Sequence, residues 1–279
     1  MKKEKGFTLI ELLVVIAIIA LLMATLMPAL AKVRAKAKAV ACRSNLRQWG
    51  AIFQMYTGDN DQHFQEGWTV DIEPGDRWHD LLRPYFGDNN DILFCPTAGP
   101  SKVREMYGVP TGEHGTFSAW GKFQGPGFYP SSLRGGAGSY GINIYVCNPT
   151  ANVGFPRMED FWRTPLVKGG SDIPLLFDSL WHDVFPKAAN TPPEFDGDFS
   201  ESGHIDGLHN CCINRHDEKI NMLFLDWGTR SVGLKELWEL KWNRNWVEEY
   251  QAAGRPTEWN APDHWMYNMK DYELIRMPD

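Results

Sequence analysis

The chain has 279 residues, of which 43% are hydrophobic and 23% charged, with a formal net charge of -7. This composition excludes an intrinsically disordered chain and a polytopic membrane protein. Residues 1–48 carry nine Lys or Arg and two Glu, whereas residues 49–279 carry nineteen basic and thirty-three acidic residues. Such an acidic body excludes nucleic acid as its partner, because phosphate binding requires a basic surface.

The N-terminal segment is apolar over a membrane-length stretch. Residues 7–27 include only three polar members, Thr8, Glu11 and Thr25, and about 20 apolar residues suffice to cross a bilayer as a helix. Three interpretations are open: a secretory signal peptide cleaved near residues 29–31, a plain membrane anchor, and a segment processed at its start. The first fits poorly, because signal-peptide apolar runs are usually about 7 to 15 residues long and lack a carboxylate.

The start of this apolar run resembles a known processing site. The sequence Lys5-Gly6-Phe7-Thr8-Leu9-Ile10-Glu11 is similar to the N-terminus of type IV pilins and type II secretion pseudopilins. The resemblance implies cleavage by an inner-membrane prepilin peptidase between Gly6 and Phe7, followed by N-methylation of Phe7. Pro28 stands where many pilins have a helix-kinking proline. This motif sets the expected orientation, N-terminus in the cytoplasm, although more basic residues follow the run than precede it.

Glu11 has a physical explanation in an assembly. An ionised side chain inside a bilayer costs roughly 2.5 to 3.5 kcal/mol on insertion scales. Cleavage would create an α-ammonium group on Phe7, about one helical turn from Glu11. The carboxylate of one subunit could then face the ammonium group of its neighbour, which would relieve the penalty only in the correct stagger. The resemblance implies this pairing and hence an assembly role for Glu11.

The helix is expected to continue beyond Pro28. Apolar residues recur at helical spacing up to Tyr56, with basic and polar residues between them, and the segment 58–61 predicts the end of the helix. We therefore divide the chain into a leader peptide (1–6), a transmembrane and assembly helix (7–28), the amphipathic half of the same helix (29–57) and a periplasmic or extracellular domain (58–279).

The body has short apolar runs separated by clusters of Gly, Pro, Asn and Asp. These runs predict strands near 92–94, 142–146, 174–177 and 221–225, with one short helix near 78–85. The Gly-, Pro- and Ser-rich segment 107–138 predicts an irregular surface loop. The fold class is therefore α+β: a long N-terminal helix packed on a small antiparallel sheet with long loops, as the resemblance to pilins implies.

The C-terminal part has large apolar residues at mostly four-residue spacing, which predicts a helix over 234–250. These residues are Leu234, Leu237, Trp238, Trp242, Trp246 and Tyr250. We expect this aromatic face to pack in the core, with an exposed partner-binding face as the alternative. Beyond Gly254, a Trp-bearing tail is expected to wrap the body.

Three further short sequences extend the resemblance to pseudopilin-like proteins: Cys42-Arg43-Ser44-Asn45-Leu46-Arg47-Gln48, Phe94-Cys95-Pro96 and Ser139-Tyr140-Gly141-Ile142-Asn143. A large group of such proteins has a C-terminal motif of His, nine residues and Asp-Gly. Here nine residues separate His216 from Asp226, but Trp227 stands between Asp226 and Gly228. This insertion predicts a three-residue hairpin loop with glycine in the left-handed position. The role of the motif is left open.

No motif in the body predicts catalysis. The GxGxxG match at 136–141 leads into a strand rather than a helix, which excludes a dinucleotide site. A group of metal-ligand types fits no zinc pattern: His204, His209, His216, Asp226, Cys211 and Cys212. The five cysteines lack a CxxC and leave disulfides open in an exported body. We predict no catalytic residue, metal site or cofactor. Calcium is left open for the oxygen-rich segments 58–61, 87–91 and 196–198, which Asx turns also explain.

Together these features predict a pseudopilin-like structural subunit rather than an enzyme. It would be a single-pass inner-membrane protein with a periplasmic or extracellular body, assembled into a type II secretion pseudopilus or a type IV pilus-like filament. Its expected partners are the prepilin peptidase, other pilin or pseudopilin subunits and the inner membrane. The competing prediction is a membrane-tethered module that binds a glycan or surface ligand through Trp- and Tyr-rich loops. An exported hydrolase comes third, because no catalytic set supports it.

Overall fold

A computed structural model describes residues 9–67, 78–98, 115–121, 137–150, 156–198 and 207–272. In these ranges the α-helices are α1 (Leu9–Asp59), α2 (Trp78–Leu81), α3 (Arg83–Phe86) and α4 (Trp246–Ala253). The strands are β1 (Trp120–Gly121), β2 (Ala137–Gly138), β3 (Tyr140–Asn143), β4 (Pro174–Asp178), β5 (Asp183–Val184), β6 (Lys219–Phe224) and β7 (Thr229–Gly233). The predicted α+β class is confirmed, with α1 packed on a five-stranded sheet.

The main sheet has the strand order β5-β3-β4-β6-β7, and β1 pairs with β2 in a separate ribbon. The sheet is mixed rather than wholly antiparallel, because β5 runs parallel to β3. After β4 the chain crosses directly over β3 to reach its outer edge. A Cβ atom on Gly141 would lie 2.5 Å from the Trp181 carbonyl oxygen, so the crossing requires glycine in β3.

Helix α1 is 51 residues long and includes Pro28. At 1.5 Å per residue it measures about 75 Å. The predicted long helix is thus confirmed over the described residues, and the predicted short helix near 78–85 corresponds to α2 and α3. The N-terminal residues of the prediction, up to residue 8, lie outside the described part of the chain.

The C-terminal half of α1 packs on β6 and β7. Leu46, Trp49 and Phe53 recur at helical spacing and are fully buried in the core between α1 and the sheet. A Cβ atom on Gly50 would lie 3.1 Å from Leu223 Cδ1 on β6. Glycine at this position therefore lets the helix backbone lie close to the strand.

The opposite face of the sheet is covered by the C-terminal part of the chain. Along β6, Met222 and Phe224 belong to this second core, whereas Leu223 faces α1, as expected from the period of two in a strand. Trp238 and Trp242 are fully buried there, which confirms that the aromatic residues pack in the core. The sheet is therefore buried between α1 and the tryptophan-rich segment.

The prediction of one continuous helix over 234–250 is wrong. A 3₁₀ helix occupies Lys235–Glu239, and α4 begins only at Trp246. The carbonyl of Trp242 accepts hydrogen bonds from Asn143 Nδ2 at 2.8 Å and Trp162 Nε1 at 3.1 Å. Asn243 Oδ1 accepts from the backbone N–H of Asn245 at 2.9 Å. These tertiary and local bonds compete with helical ones, so the helix is interrupted.

The strand predicted at 92–94 is also wrong, because Asn90–Leu93 form a 3₁₀ helix. Two carbonyl groups of this segment bond to α1 and to Ser139, the residue between β2 and β3. Ile92 accepts from Trp49 Nε1 at 2.8 Å, and Leu93 accepts from the N–H of Ser139 at 2.9 Å. The strand predicted at 142–146 ends at Asn143, whose side chain caps a 3₁₀ turn at Ile144–Val146.

The strands predicted at 174–177 and 221–225 are confirmed as β4 and β6. The tail beyond Gly254 is confirmed as a wrap up to residue 272: Trp259 is fully buried and Trp265 Nε1 donates to the Pro193 carbonyl at 2.8 Å. The loop predicted at 107–138 lies largely outside the described residues, but it includes β1 and β2.

Candidate functional site

The N-terminal half of α1 projects from the body. Residues 9–38 are exposed throughout, and the first buried residue of the helix is Cys42. The exposed part includes a stretch that is long and apolar enough to cross a membrane. Glu11 lies at its start. The helix therefore presents about 20 apolar residues that only lipid or another protein chain would cover.

The point where α1 leaves the body is fixed by polar contacts with β6 and β7. Asn221 Nδ2 donates to the Ala39 carbonyl at 3.1 Å, and Arg47 Nε donates to Thr229 Oγ1 at 3.1 Å. One turn after Ala39, Cys42 enters a buried group of side chains that we call the junction cluster: Cys42, Cys95, Asp178 and His216.

The four residues of the junction cluster come from four separate parts of the chain. Cys42 lies on α1, Cys95 follows the 3₁₀ helix Asn90–Leu93, Asp178 ends β4 and His216 precedes β6. The ligand-type atoms of these four residues lie within 4.8 Å of one another. His216 Nε2 is 3.3 Å from Cys95 Sγ and 3.1 Å from Asp178 Oδ2. Cys42 Sγ is 3.5 Å from both Asp178 oxygens.

Other buried groups hold the cluster in place. Asp178 Oδ2 accepts from the N–H of Asn221 at 2.9 Å, and Oδ1 accepts from Arg215 Nη1 at 3.4 Å. Arg215 also donates to the Ser139 carbonyl at 2.8 Å. The Tyr140 hydroxyl is 3.4 Å from Cys42 Sγ. Asp178 is therefore a carboxylate whose position is fixed from several directions.

His216 is directed into the cluster by a tight turn. Its N–H donates to the Lys219 carbonyl at 2.9 Å, and the two residues between them, Asp217 and Glu218, have φ values of 58° and 64°. Left-handed backbone costs a non-glycine residue about 1 to 2 kcal/mol. The side chain of Asn214 offsets part of this cost by accepting from the Glu218 N–H at 2.6 Å.

Electrostatics within the cluster perturb several groups. Burial would raise the pKa of Asp178, but the charge and hydrogen bond of His216 and the charge of Arg215 lower this pKa to about 2. Burial would lower the pKa of His216, but Asp178 raises it to about 9. Burial would raise the pKa of Cys95, but hydrogen bonds from Cys42 and His216 lower it to about 6. Burial raises the pKa of Cys42. The cluster thus favours a thiolate at Cys95 and a charged carboxylate at Asp178.

The cluster is not arranged as a catalytic Cys-His-Asp relay. In a relay, one imidazole nitrogen faces the nucleophile and the other faces the carboxylate. Here the same atom, His216 Nε2, faces both Cys95 and Asp178. Because these side chains are also buried, the geometry favours a structural or metal-binding role over nucleophilic catalysis.

The comparison with known families concerns the exposed helix. Residues 1–27 match the family model described as the prokaryotic N-terminal methylation motif. The N-terminal segment is a prokaryotic N-terminal methylation motif. No curated protein and no solved structure shows significant similarity to the chain. Pilin-like proteins with this motif are structural subunits, and the motif together with the apolar helix fits a single-pass inner-membrane protein.

The methylation motif includes the three predicted processing and assembly residues. Gly6 and Phe7 lie within the matched range but outside the described residues, and Glu11 lies on the exposed part of α1. Their predicted roles in cleavage, methylation and assembly stay predictions.

The predicted His-x9-Asp-Gly-type residues are placed apart. His216 lies in the junction cluster at the start of β6, whereas Asp226 and Gly228 form the exposed hairpin turn after it. Asp226 Oδ1 accepts from the Gly228 N–H at 2.8 Å. The left-handed residue of this turn is Trp227, with φ 68°, so the prediction of a left-handed glycine is wrong. Asp226 therefore has a local turn-capping contact and does not join His216.

The other residues considered for metals do not join His216. Cys211 and Cys212 are buried in the second core, and His209 Nε2 contacts the Thr191 carbonyl at 2.9 Å. His204 lies outside the described residues. Of the acidic segments considered for calcium, segment 196–198 uses its carboxylates in other contacts: Asp196 Oδ1 accepts from the Asn214 N–H at 2.8 Å, and Asp198 Oδ2 accepts from the Glu194 N–H at 3.3 Å. Neither bond is the Asx turn expected from the sequence.

Cys42, Cys95, Asp178 and Arg215 were missed as site residues. Both cysteines stand in short sequences that indicate only the family resemblance. The spacing of these residues along the sequence does not indicate a shared site, because they lie in or beside separate elements and no short motif joins them. The adjacent charged residues Arg215 and His216 were the one local hint.

Proposed function

We propose that the chain is a pseudopilin-like structural subunit that a prepilin peptidase cleaves between Gly6 and Phe7. It joins a pilus-like filament or a type II secretion pseudopilus through α1. The observation that carries the proposal is the exposed apolar half of α1, which is continuous with the half packed on the body. The match of residues 1–27 to the methylation motif supports it.

The exposed helix suits two environments in succession. In the membrane, lipid covers residues 9–27. In a filament, the helices of neighbouring subunits cover the same surface, so the subunit exchanges lipid for protein contacts without refolding. The body remains outside the helix bundle because the first buried contact of α1 is at Cys42. About 50 Å of helix separates that contact from Leu9, at 1.5 Å per residue.

Glu11 selects the stagger between subunits in this proposal. Its carboxylate lies in an otherwise apolar segment, where the cost of the charge is relieved by the α-ammonium group of a neighbour's Phe7. A polar group of this kind determines register more than stability.

The competing glycan-binding module receives less support from the aromatic residues. Exposed tryptophan faces would be needed to stack on sugars, but each tryptophan in the described ranges is wholly or partly buried: Trp49, Trp78, Trp120, Trp162, Trp181, Trp227, Trp238, Trp242, Trp246, Trp259 and Trp265.

Processing is tested by mass spectrometry of the mature N-terminus in cells with and without the prepilin peptidase. The expected result is a chain that begins with N-methylated Phe7 and that becomes uncut when the peptidase is absent. An N-terminus near residue 32 would instead indicate a signal peptide, and an uncut Met1 in both strains would indicate a plain anchor. Either result would overturn the proposal.

Assembly is tested by Glu11→Val and a matched control, Thr25→Val. Thr25 is also polar and exposed in the apolar segment, but its side chain carries no charge; its hydroxyl donates to the Leu22 carbonyl at 2.9 Å. Leu21→Cys supplies a site for a flexible, membrane-permeant bismaleimide, which can join two staggered helices. The native cysteines are all buried, so cross-linking reports on the introduced thiol.

The expected result is a cross-linked dimer of subunits in the Leu21→Cys background and in its Thr25→Val variant. Glu11→Val should insert into the membrane as well as the parent does and lower the yield of cross-linked dimer at least tenfold. If Glu11→Val gives as much dimer as the control, the stagger role of Glu11 is wrong. If no variant gives a dimer in cells that contain the assembly machinery, the subunit does not assemble through α1.

A further inference from the structure

We propose that the junction cluster binds one Zn²⁺ ion, with Cys42 Sγ, Cys95 Sγ, Asp178 and His216 Nε2 as its ligands. This proposal departs from the sequence-based prediction of no metal site, and it does not depend on the proposed function. Two thiolates, an imidazole and a carboxylate are ligands that zinc accepts in four-coordinate sites. The cluster supplies each of them from a different element.

The distances between the ligand atoms lie within or slightly below the range of edge lengths of a tetrahedron around zinc. With Zn–S of about 2.3 Å and Zn–N and Zn–O of about 2.0 to 2.2 Å, the edges between unlike atoms are about 3.3 to 3.6 Å. The observed separations are 3.3 Å for Cys95 Sγ to His216 Nε2 and 3.1 Å for His216 Nε2 to Asp178 Oδ2. Cys42 Sγ lies 3.5 Å from the Asp178 oxygens. The side chains are thus already placed at ligand spacing.

The direction of the His216 imidazole supports a single metal ion at the centre of the four ligand atoms. One nitrogen, His216 Nε2, approaches a sulfur and a carboxylate oxygen at once. A single N–H group donates well along one direction, whereas a ligand nitrogen pointing at a metal lies close to all the other ligand atoms. The mutual approach within 4.8 Å extends this arrangement to Cys42 as well.

The charges around the cluster balance with zinc present. Two thiolates and one carboxylate give three negative charges, and Zn²⁺ and the buried Arg215 guanidinium give three positive ones. Arg215 Nη1 lies 3.4 Å from Asp178 Oδ1, and the Asn221 N–H donates to Oδ2 at 2.9 Å. Such outer contacts orient a carboxylate ligand. The buried charges therefore cancel, which a low-dielectric interior requires.

A disulfide between Cys42 and Cys95 is the main alternative in an exported protein. A disulfide has no proton to donate and carries no charge. With a disulfide, Asp178 would keep its pairs with Arg215 and His216, but the approach of its carboxylate to Cys42 and of the His216 ring to Cys95 would have no bond to explain it. Zinc explains why all four residues converge, whereas a disulfide explains only two of them.

Zinc at this place would join α1 to the body where the exposed helix begins. Cys42 is the first buried residue of α1, and the other ligands hold the sheet and the 3₁₀ helix Asn90–Leu93. A cavity of about 360 Å³, lined in part by Asn45, Phe94 and Cys95, borders the cluster at Cys95. Force on the helix in a filament would then reach the body through coordinated bonds.

The test is the metal content of the full processed chain in detergent micelles, purified without chelator and measured by inductively coupled plasma mass spectrometry. We expect about one zinc per chain. Cys95→Ala and His216→Ala should each lower this content at least tenfold. Cys147→Ala is the matched control: it also removes a fully buried thiol, but Cys147 lies outside the cluster, so the zinc should be retained.

Two measurements on the unaltered chain remain decisive if the variants fold poorly. Unfolding in chelator should expose five reactive thiols, whereas a Cys42–Cys95 disulfide would leave three. Replacement of zinc by Co²⁺ should give thiolate-to-metal charge-transfer bands and the strong visible bands of a tetrahedral site. Three thiols, a weak octahedral cobalt spectrum, no zinc after incubation with the ion, or full zinc content in Cys95→Ala and His216→Ala would each overturn the proposal.

Discussion

Cys42 and Asp178 lie side by side, 3.5 Å apart between sulfur and carboxylate, although 136 residues separate them along the chain. One belongs to α1 and the other to the end of β4. The contact therefore unites the N-terminal helix with the centre of the sheet. It also places the carboxylate between Arg215 and His216, so Asp178 stabilises several buried groups at once.

Asp178→Asn should destabilise the body strongly. The change leaves the fully buried Arg215 side chain without its counter-charge, and removal of one partner from a buried ion pair costs about 3 to 5 kcal/mol. The free energy of unfolding can be measured by denaturant titration of the full chain in micelles, followed by tryptophan fluorescence. Asp226→Asn is the control, since Asp226 is exposed at a turn, and it should change stability by no more than about 0.5 kcal/mol. Equal effects of the two changes would contradict the assigned role.

Trp49→Phe tests the hydrogen bond that holds α1 to the segment before Cys95. Trp49 Nε1 donates to the Ile92 carbonyl at 2.8 Å, and the indole is fully buried. Loss of the donor leaves a buried carbonyl unsatisfied, which costs about 1 to 3 kcal/mol. The same denaturant titration measures it. Met55→Leu, at an exposed position of the same helix, should leave the midpoint unchanged. A midpoint for Trp49→Phe equal to that of Met55→Leu would show that the bond does not stabilise the fold.

Local pattern made α1 predictable from sequence, and long-range contacts made much of the rest unpredictable. Leu46, Trp49 and Phe53 lie on one face of a regular helix, so their spacing alone predicted both the element and its buried side. The aromatic spacing from Trp238 to Trp246 was just as regular. There the Trp242 carbonyl bonds to Asn143 and Trp162 instead of to its own helix, and no local signal announces such a contact.

The junction cluster shows the same limit for the site. The methylation motif is contiguous, so residues 5–11 could be recognised at once. The cluster depends on strand order: Asp178 and His216 meet only because β4 pairs with β6, and Cys42 joins them only because α1 packs on β6. His216 was noticed for its spacing to Asp226, yet its observed partners lie on other elements.

Two glycines of α1 should respond differently to alanine. Glycine in a helix interior costs about 0.5 to 1 kcal/mol relative to alanine. At Gly58 a Cβ atom would meet nothing within 4 Å, so Gly58→Ala should raise the free energy of unfolding by up to this amount. At Gly50 the Cβ atom would lie 3.1 Å from Leu223 Cδ1, so Gly50→Ala should gain less, and the larger Gly50→Val should lose about 1 to 3 kcal/mol through overpacking. Calorimetry of the three variants measures how their free energies of unfolding are ordered. A gain at Gly50 equal to that at Gly58 would contradict the close contact of α1 with β6.

Arg215→Lys should release the segment 115–121 from the body. The Arg215 side chain is fully buried, and its guanidinium donates to four backbone carbonyl groups besides Asp178: Thr116 at 2.9 Å, Ser139 at 2.8 Å, Ser118 at 3.0 Å and Ser179 at 3.4 Å. Lysine keeps the charge but concentrates it on one nitrogen, which cannot reach the same set of acceptors. Each buried acceptor left unsatisfied costs about 1 to 3 kcal/mol, so we expect faster amide hydrogen exchange in residues 115–121 as well as lower global stability. Arg244→Lys is the control: Arg244 is exposed, so the change should alter stability by no more than about 0.5 kcal/mol. Arg215→Lys could instead lower global stability without making exchange in residues 115–121 faster relative to the other protected amides. That result would show that the arginine acts only through its charge interaction with Asp178.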